Sequence, residues 1–118
     1  MLRTLCFHPS RDIVATGGMD KRLKVLQIER EEATLRAKKM AGVYVKDLPL
    51  QSVHFLREGR EVVMTGLRKH FYSYDLERNK LIRIGKVKAA RETENEKIQK
   101  CSVSERGSYM ALTFEESE

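Results

Sequence analysis

The segment LCFHPSRDIVATGGMDKRLKVLQI, residues 5–28, lies without a gap over VHFLREGREVVMTGLRKHFYSYDL, residues 53–76. Leu5 meets Val53, Phe7 meets Phe55, Val14 meets Val62 and Ala15 meets Val63; further on, Leu23 meets Phe71, Leu26 meets Tyr74 and Ile28 meets Leu76. The same interval of 48 residues carries Cys101, Val103, Met110 and Ala111 onto these positions in a third copy, CSVSERGSYMALTF. A fixed period of this size marks one supersecondary unit used repeatedly, each unit burying its apolar face against the next.

Each copy has the same internal order. A short alternating strand ends in a polar turn, HPSRD, LREGR or SERGS, and a more apolar strand follows, IVATG, EVVMTG or YMALTF. In the two complete copies a tight turn leads to a third strand, RLKVLQI or HFYSYDL. Such runs, bounded by Gly, Pro, Ser and Asp, are strand and hairpin signals. Gly17 and Gly18 suit a tight turn or a close backbone approach. Asp20 stands where an Asx turn can bridge the second and third strands. Tyr74 and Asp75 close the third strand of the second copy, and KLIRI follows ERNK directly, so residues 76–81 form a hairpin in which Asn79 is best able to take a positive φ. In the first copy the fourth strand is expected at GVYVKDL, after an excursion at 29–41 whose run EREEATLRAKKM reads as a solvated loop. Four antiparallel strands per ~40–50 residues make a β-propeller blade. The expected fold is all-β, a partial propeller of about two and a half blades: residues 1–47, 48–97 and an incomplete third blade, 98–118.

A chain of 118 residues, 41% apolar and 34% charged, has room for one ordinary domain. Propellers close with about four to eight blades, so the chain is expected to be a piece of a larger ring or to need a partner that covers its open faces. The clean apolar run in EVVMTG ends after three residues and no other run is much longer, which predicts no membrane span, and the N-terminal apolar patch is too short for a secretion signal. Cys6 and Cys101 stand far apart with no partner motif, which points to a reducing compartment.

Catalytic and cofactor chemistry finds little footing. Cys6, His8, His54, His70 and Cys101 lack zinc-ligand spacing. Ser10, His8 and Asp20 lack a nucleophile elbow, and Gly17-Gly18 precede no Gly-Lys-Ser/Thr. No metal, cofactor or enzymatic activity is expected. The net charge of +6 draws attention instead to the turns between second and third strands, DKRLK (20–24) and LRKH (67–70). They occupy equivalent places in consecutive blades, so Lys21, Arg22, Lys24, Arg68 and Lys69 should form a continuous basic strip on one rim. His70 should add partial charge, and the connection 85–100 should emerge on the same rim. Such a strip can hold phosphates by salt-sensitive contacts with RNA or meet an acidic protein segment; the plainer reading, and the favoured one, is solvated turns rich in Lys and Arg. Tyr72 and Tyr74 can stack on bases, though blade packing is the stronger reading of both.

FHPSRDIVATGGMDKRLKVLQI resembles a WD repeat, with Phe7-His8-Pro9 closing the first strand and Gly18-x-Asp20 before the third. LPLQSVHFLREGREVVMTGLRKHFYSYDLERNKL resembles more specifically the nucleolar WD-repeat family of U-three small nucleolar RNA-associated protein eighteen. There a Pro–hydrophobic lead-in, a Phe-x-x-x-Gly turn and a Tyr-x-Tyr-Asp-Leu strand occur in consecutive blades. The likeness runs from about Leu2 to Phe114. Leu26-Gln27 and Tyr74-Asp75 replace the usual Trp-Asp, the Gly-His before the first strand is missing, and Arg68 stands where Asp20 has its counterpart. The hydrogen-bonded tetrad of strong repeats is therefore not expected, and packing should hold the blades. The N-terminal extension with which that family recruits an exosome-associated RNA helicase has no match, so that role is not carried over. The resemblance implies a non-catalytic scaffold of the small-subunit processome in the nucleolus of the nucleus, acting in pre-ribosomal RNA processing and 18S rRNA maturation. Its implied partners are other propeller proteins of that assembly and pre-rRNA or small nucleolar RNA, with no membrane. The alternative is a general protein-interaction propeller outside ribosome assembly.

Overall fold

All regular elements in the computed structural model, which describes residues 2–31, 34–85, 96–104 and 109–116, are β-strands. The strands are β1 (Leu2–Phe7), β2 (Ile13–Gly18), β3 (Arg22–Glu31), β4 (Thr34–Tyr44), β5 (Ser52–Leu56), β6 (Glu61–Thr65), β7 (Phe71–Asp75), β8 (Lys80–Ile84), β9 (Glu96–Val103) and β10 (Met110–Glu116). They form three antiparallel sheets, β1-β2-β3-β4, β5-β6-β7-β8 and β9-β10. Chain order equals spatial order in each, because tight turns pair each strand with its successor.

The alignment of copies is a register in space. Phe7 lies opposite Val14, Phe55 opposite Val62 and Val103 opposite Met110. Cys6 faces Ala15, His54 faces Val63 and Ser102 faces Ala111. The second hairpins agree: Val14 meets Leu26 and Val62 meets Tyr74. Even the flanking backbone bonds repeat, with the Ile28 amide donating to the Asp12 carbonyl at 2.8 Å and the Leu76 amide to the Arg60 carbonyl at 3.0 Å.

Stacking of the sheets follows from the side-chain alternation of paired strands. One face of the first sheet, with Ala15, Leu23 and Val25, packs on the row Val53, Phe55, Val62, Met64 and Tyr74 of the second, and Val45, Leu48 and Leu50 of the linker fill the gap. The opposite face of the second sheet, with Val63 and Phe71, packs on Ile98, with Met110 and Leu112 at the margin. β6 is thus covered on both sides, which is why Val62, Val63 and Met64 run without polar alternation. Leu50 and Ile98, one repeat interval apart, are both fully buried where the chain crosses between sheets.

Phe7 and Phe55 hold the same register position in different surroundings. Phe55 is 4% exposed, Phe7 63%. The row of Phe55 is covered by the first sheet, whereas among the described residues no sheet covers the row of Phe7 and Leu5.

Glycine use is specific. A Cβ on Gly17 would come within 2.8 Å of Leu50 Cδ1 and 3.1 Å of Val53 Cγ1, so this residue serves the close approach of two sheets and not a turn. The positive φ of the β2–β3 turn falls on Lys21 (62°), and Asn79 takes 53° in the β7–β8 hairpin, as that hairpin requires.

The excursion at 29–41 is not a loop. β3 and β4 pair from Arg22↔Tyr44 to Glu31↔Thr34, so the fourth strand starts at Thr34 and not at Gly42. Among the described residues no sheet packs against the exposed outer part of this hairpin, and nothing there demands apolar alternation. Backbone pairing and cross-strand pairs such as Glu29 opposite Arg36 suffice. A bulge between Val25 and Leu26 leaves Met40 out of the pairing. β9 likewise begins at Glu96, inside the span assigned to the second blade. Most of the connection expected on the rim, residues 86–95, lies outside the described residues.

Candidate nucleic-acid interface on the turn rim

The two basic turns lie where the chain crosses from sheet to sheet. In the first, the Lys21 amide donates to the Gly18 carbonyl at 3.2 Å and Asp20 Oδ1 accepts the Arg22 amide at 3.3 Å. The Lys21 carbonyl then accepts the Val45 amide of the linker at 2.7 Å, and the Gly18 carbonyl accepts that of Leu50 at 3.0 Å. In the second turn the Arg68 carbonyl accepts the Ile98 amide of β9 at 2.9 Å. Each turn therefore anchors the chain that leads into the following sheet.

Arg22, Lys24, Arg68 and Lys69 are exposed there, and Lys21 is half-buried. The Arg22 guanidinium lies 5.2 Å over the Tyr44 ring, a cation–π contact that holds the charge outward. Arg22 and Lys24 alternate with buried Leu23 and Val25 on β3, so they share one face. They flank a shallow depression of about 100 Å³ that also touches Leu2, Thr16 and Asp20. Arg68 folds back so that Nη1 donates to the Leu67 carbonyl at 3.1 Å.

Asp47, in the linker between the two turns, brings a carboxylate against the second of them. Tyr72 donates its hydroxyl to Asp47 Oδ1 at 2.6 Å, and His70 Nε2 stands 3.2 Å from Asp47 Oδ2 without hydrogen-bond alignment. Arg83 Nη2 lies 3.4 Å from His70 Nδ1, and the rings of His70 and Tyr72 meet edge to face at 5.7 Å. The Tyr72 hydrogen bond, helped by His70 and Arg83, holds the Asp47 carboxyl below the usual carboxylate range. Burial, with Arg83 beside it, pushes His70 below its ordinary value. His70 thus brings less positive charge at neutral pH than a free imidazole, and Asp47 brings a full negative one. Asp47 and Arg83 escaped the sequence reading because Asp47 and Tyr72 are 25 positions apart, and no local spacing announces the pair.

The remaining singled-out residues belong to packing and turns. Tyr74 is 3% exposed inside the core and Tyr72 packs against the same core with its hydroxyl on Asp47, so both serve the packing of the sheets. Asp75 Oδ1 accepts the amides of Glu77 and Arg78 at 2.9 and 3.0 Å, closing the β7–β8 turn. His8 Nδ1 accepts the amides of Ser10 and Arg11 at 3.0 and 3.1 Å, which places the proton of the neutral ring on Nε2 and makes the ring a turn cap. Cys101 is half-buried, and burial raises its thiol to about 11, which suppresses the thiolate. Among the described residues no three His, Cys, Asp or Glu side chains gather as a metal site.

His8, His54 and His70 all titrate below their ordinary value, burial being the largest cause in each. Unfolded imidazoles take up protons near pH 6.5 while the folded ones stay neutral to lower pH, so proton uptake favours the unfolded chain. Stability should therefore fall as pH drops through about 6.5 and be retained at about 7.5. Urea midpoints at pH 7.5 and 5.5 check this; an equal or higher midpoint at the lower pH would reject the assignment.

No family model matches the chain. Over 84 residues, 71% of this chain and 15% of the relative, it is 34% identical to the U3 small nucleolar RNA-associated protein 18 homolog of Arabidopsis thaliana. The chain resembles part of U3 small nucleolar RNA-associated protein 18. The Schizosaccharomyces pombe protein of that name is 24% identical over 111 residues, 94% of this chain and 20% of the relative. The Saccharomyces cerevisiae one is 26% identical over 80 residues, 64% of this chain and 13% of the relative. The chain thus spans a fifth or less of the length of these U3 small nucleolar RNA-associated proteins.

Proposed function

We propose that the chain forms two and a half blades, residues 1–47, 48–97 and 98–118, of a WD-repeat propeller that acts without catalysis as a scaffold in the small-subunit processome. It would work in the nucleolus on pre-ribosomal RNA processing and 18S rRNA maturation, beside other propeller proteins and in contact with U3 small nucleolar RNA or pre-rRNA. The observation that carries this reading is the 34% identity to a relative named for association with that RNA. It is supported by three successive hairpins in one register, as stacked blades require.

Within this reading Lys21, Arg22, Lys24, Arg68 and Lys69 touch phosphates, and His70 acts with Asp47 to shape the rim between them. Replacing Lys21, Arg22, Arg68 and Lys69 together by Ala should weaken RNA binding. The slope of log affinity against log salt should become shallower by about 3. The measurement is binding of a U3 RNA fragment to the full chain across a salt series, beside co-purification of U3 RNA with the tagged protein. An unchanged slope rejects the rim as the contact. Loss of U3 co-purification from the unaltered protein, with a cytosolic location, rejects the processome role.

A further inference from the structure

β4 ends its sheet: it pairs with β3 along one side, and among the described residues no strand lies on the other. It is eleven residues long and largely exposed, and it contains no proline. A long open edge of this kind presents unpaired amides and carbonyls to any extended chain. Near its C-terminal end the edge runs into a cleft of about 570 Å³ at the junction of the first two sheets. Met40, Ala41 and Gly42 form one wall, and Ile13 adds apolar surface. Arg11 enters from the β1–β2 turn and Arg60 from the β5–β6 turn. Met40 is the residue the bulge frees from pairing with β3, and its side chain is half exposed.

From these features we propose that β4 receives an extended acidic segment of a partner protein as a fifth strand alongside residues 38–42, with alternate side chains entering the cleft. Backbone pairing along an open edge supplies affinity, and pockets for every second side chain supply selectivity. The partner's carboxylates meet Arg11 and Arg60 in the cleft and the exposed Lys38 and Lys39 on the strand. Glu58 and Glu77 also border the cleft and balance its two arginines; the exposed Lys38 and Lys39 on the strand tip the combined surface towards cations and favour an acidic over a basic segment. A single-stranded RNA would need open ring faces for its bases; of the rings lining the cleft, Tyr74 is 3% exposed, and His8 packs on Phe55 while its Nδ1 accepts the Ser10 and Arg11 amides.

The test uses the full chain and a fluorescein-labelled decapeptide alternating Glu or Asp with Val or Ile. Its anisotropy titration is compared with the same peptide N-methylated at every second amide and with a uridine decamer. N-methylation should weaken binding by at least about tenfold, because it removes strand hydrogen bonds while keeping charge. Combined Arg11→Glu and Arg60→Glu should do likewise, and the unmodified peptide should shift the backbone resonances of residues 38–42. Equal binding of the N-methylated peptide would reduce the site to non-specific charge attraction and overturn the proposal. So would displacement of the peptide by the RNA decamer, or no binding of the unmodified peptide at about 1 mM.

Discussion

Truncating Phe55 to Ala should lower the unfolding free energy by about 3–5 kcal/mol, while the same change at Phe7 should cost less than about 1 kcal/mol. Both are aromatic, both occupy the same place in a two-stranded register, and both face a valine across the strand pair. They differ only in what lies above them. Phe55 sits against the first sheet, with its ring 5.0 Å from that of His8, and removing it leaves a cavity between two sheets. Phe7 is 63% exposed and leaves none. Urea unfolding followed by far-ultraviolet dichroism measures both. A large loss at Phe7 would mean that its face is covered in solution. A small loss at Phe55 would mean that the first two sheets do not stack, and the blade reading would fail with it.

Gly59→Ala should be the most damaging single methyl group added to the chain. Gly59 is buried and adopts φ 91°, where an L side chain is strained. The added Cβ would also run into the imidazole of His8, which projects across from the first sheet. Backbone strain and the displaced His8–Phe55 contact together should cost about 2–3 kcal/mol. His8→Ala in the same background removes the collision and leaves the strain. The double variant should therefore be more stable than the sum of the two single losses implies, by about 1 kcal/mol or more. Strict additivity would show that His8 and Gly59 do not touch, and the junction between the first two sheets would have to be redrawn.

How much was legible in the sequence differs from element to element. The strand pairs were, because the turn at HPSRD or LREGR sets which residues face each other, and that relation repeats down the chain. Asn79 was legible for the same local reason. The β3–β4 hairpin was not: Thr34 to Met40 are exposed, so no apolar period marks a strand that backbone and cross-strand pairing sustain. The rim was legible in outline only. Its cations are local to two turns, but Asp47 enters from a linker and meets Tyr72 and His70 through folding. The charge pattern in space is therefore less uniform than in sequence.

What the amino-acid sequence determined unaided is the all-β class, the 48-residue interval and the turns that join successive strands of each copy, since these depend on alternation and turns within a few tens of residues. Only the tertiary structure decided which face of each sheet is covered, that Asp47 meets Tyr72 and His70, and that among the described residues β4 offers an open edge beside a cleft. Those outcomes depend on which residues distant in sequence come to share a boundary, and side-chain alternation is the same whether the face it creates is buried or bare.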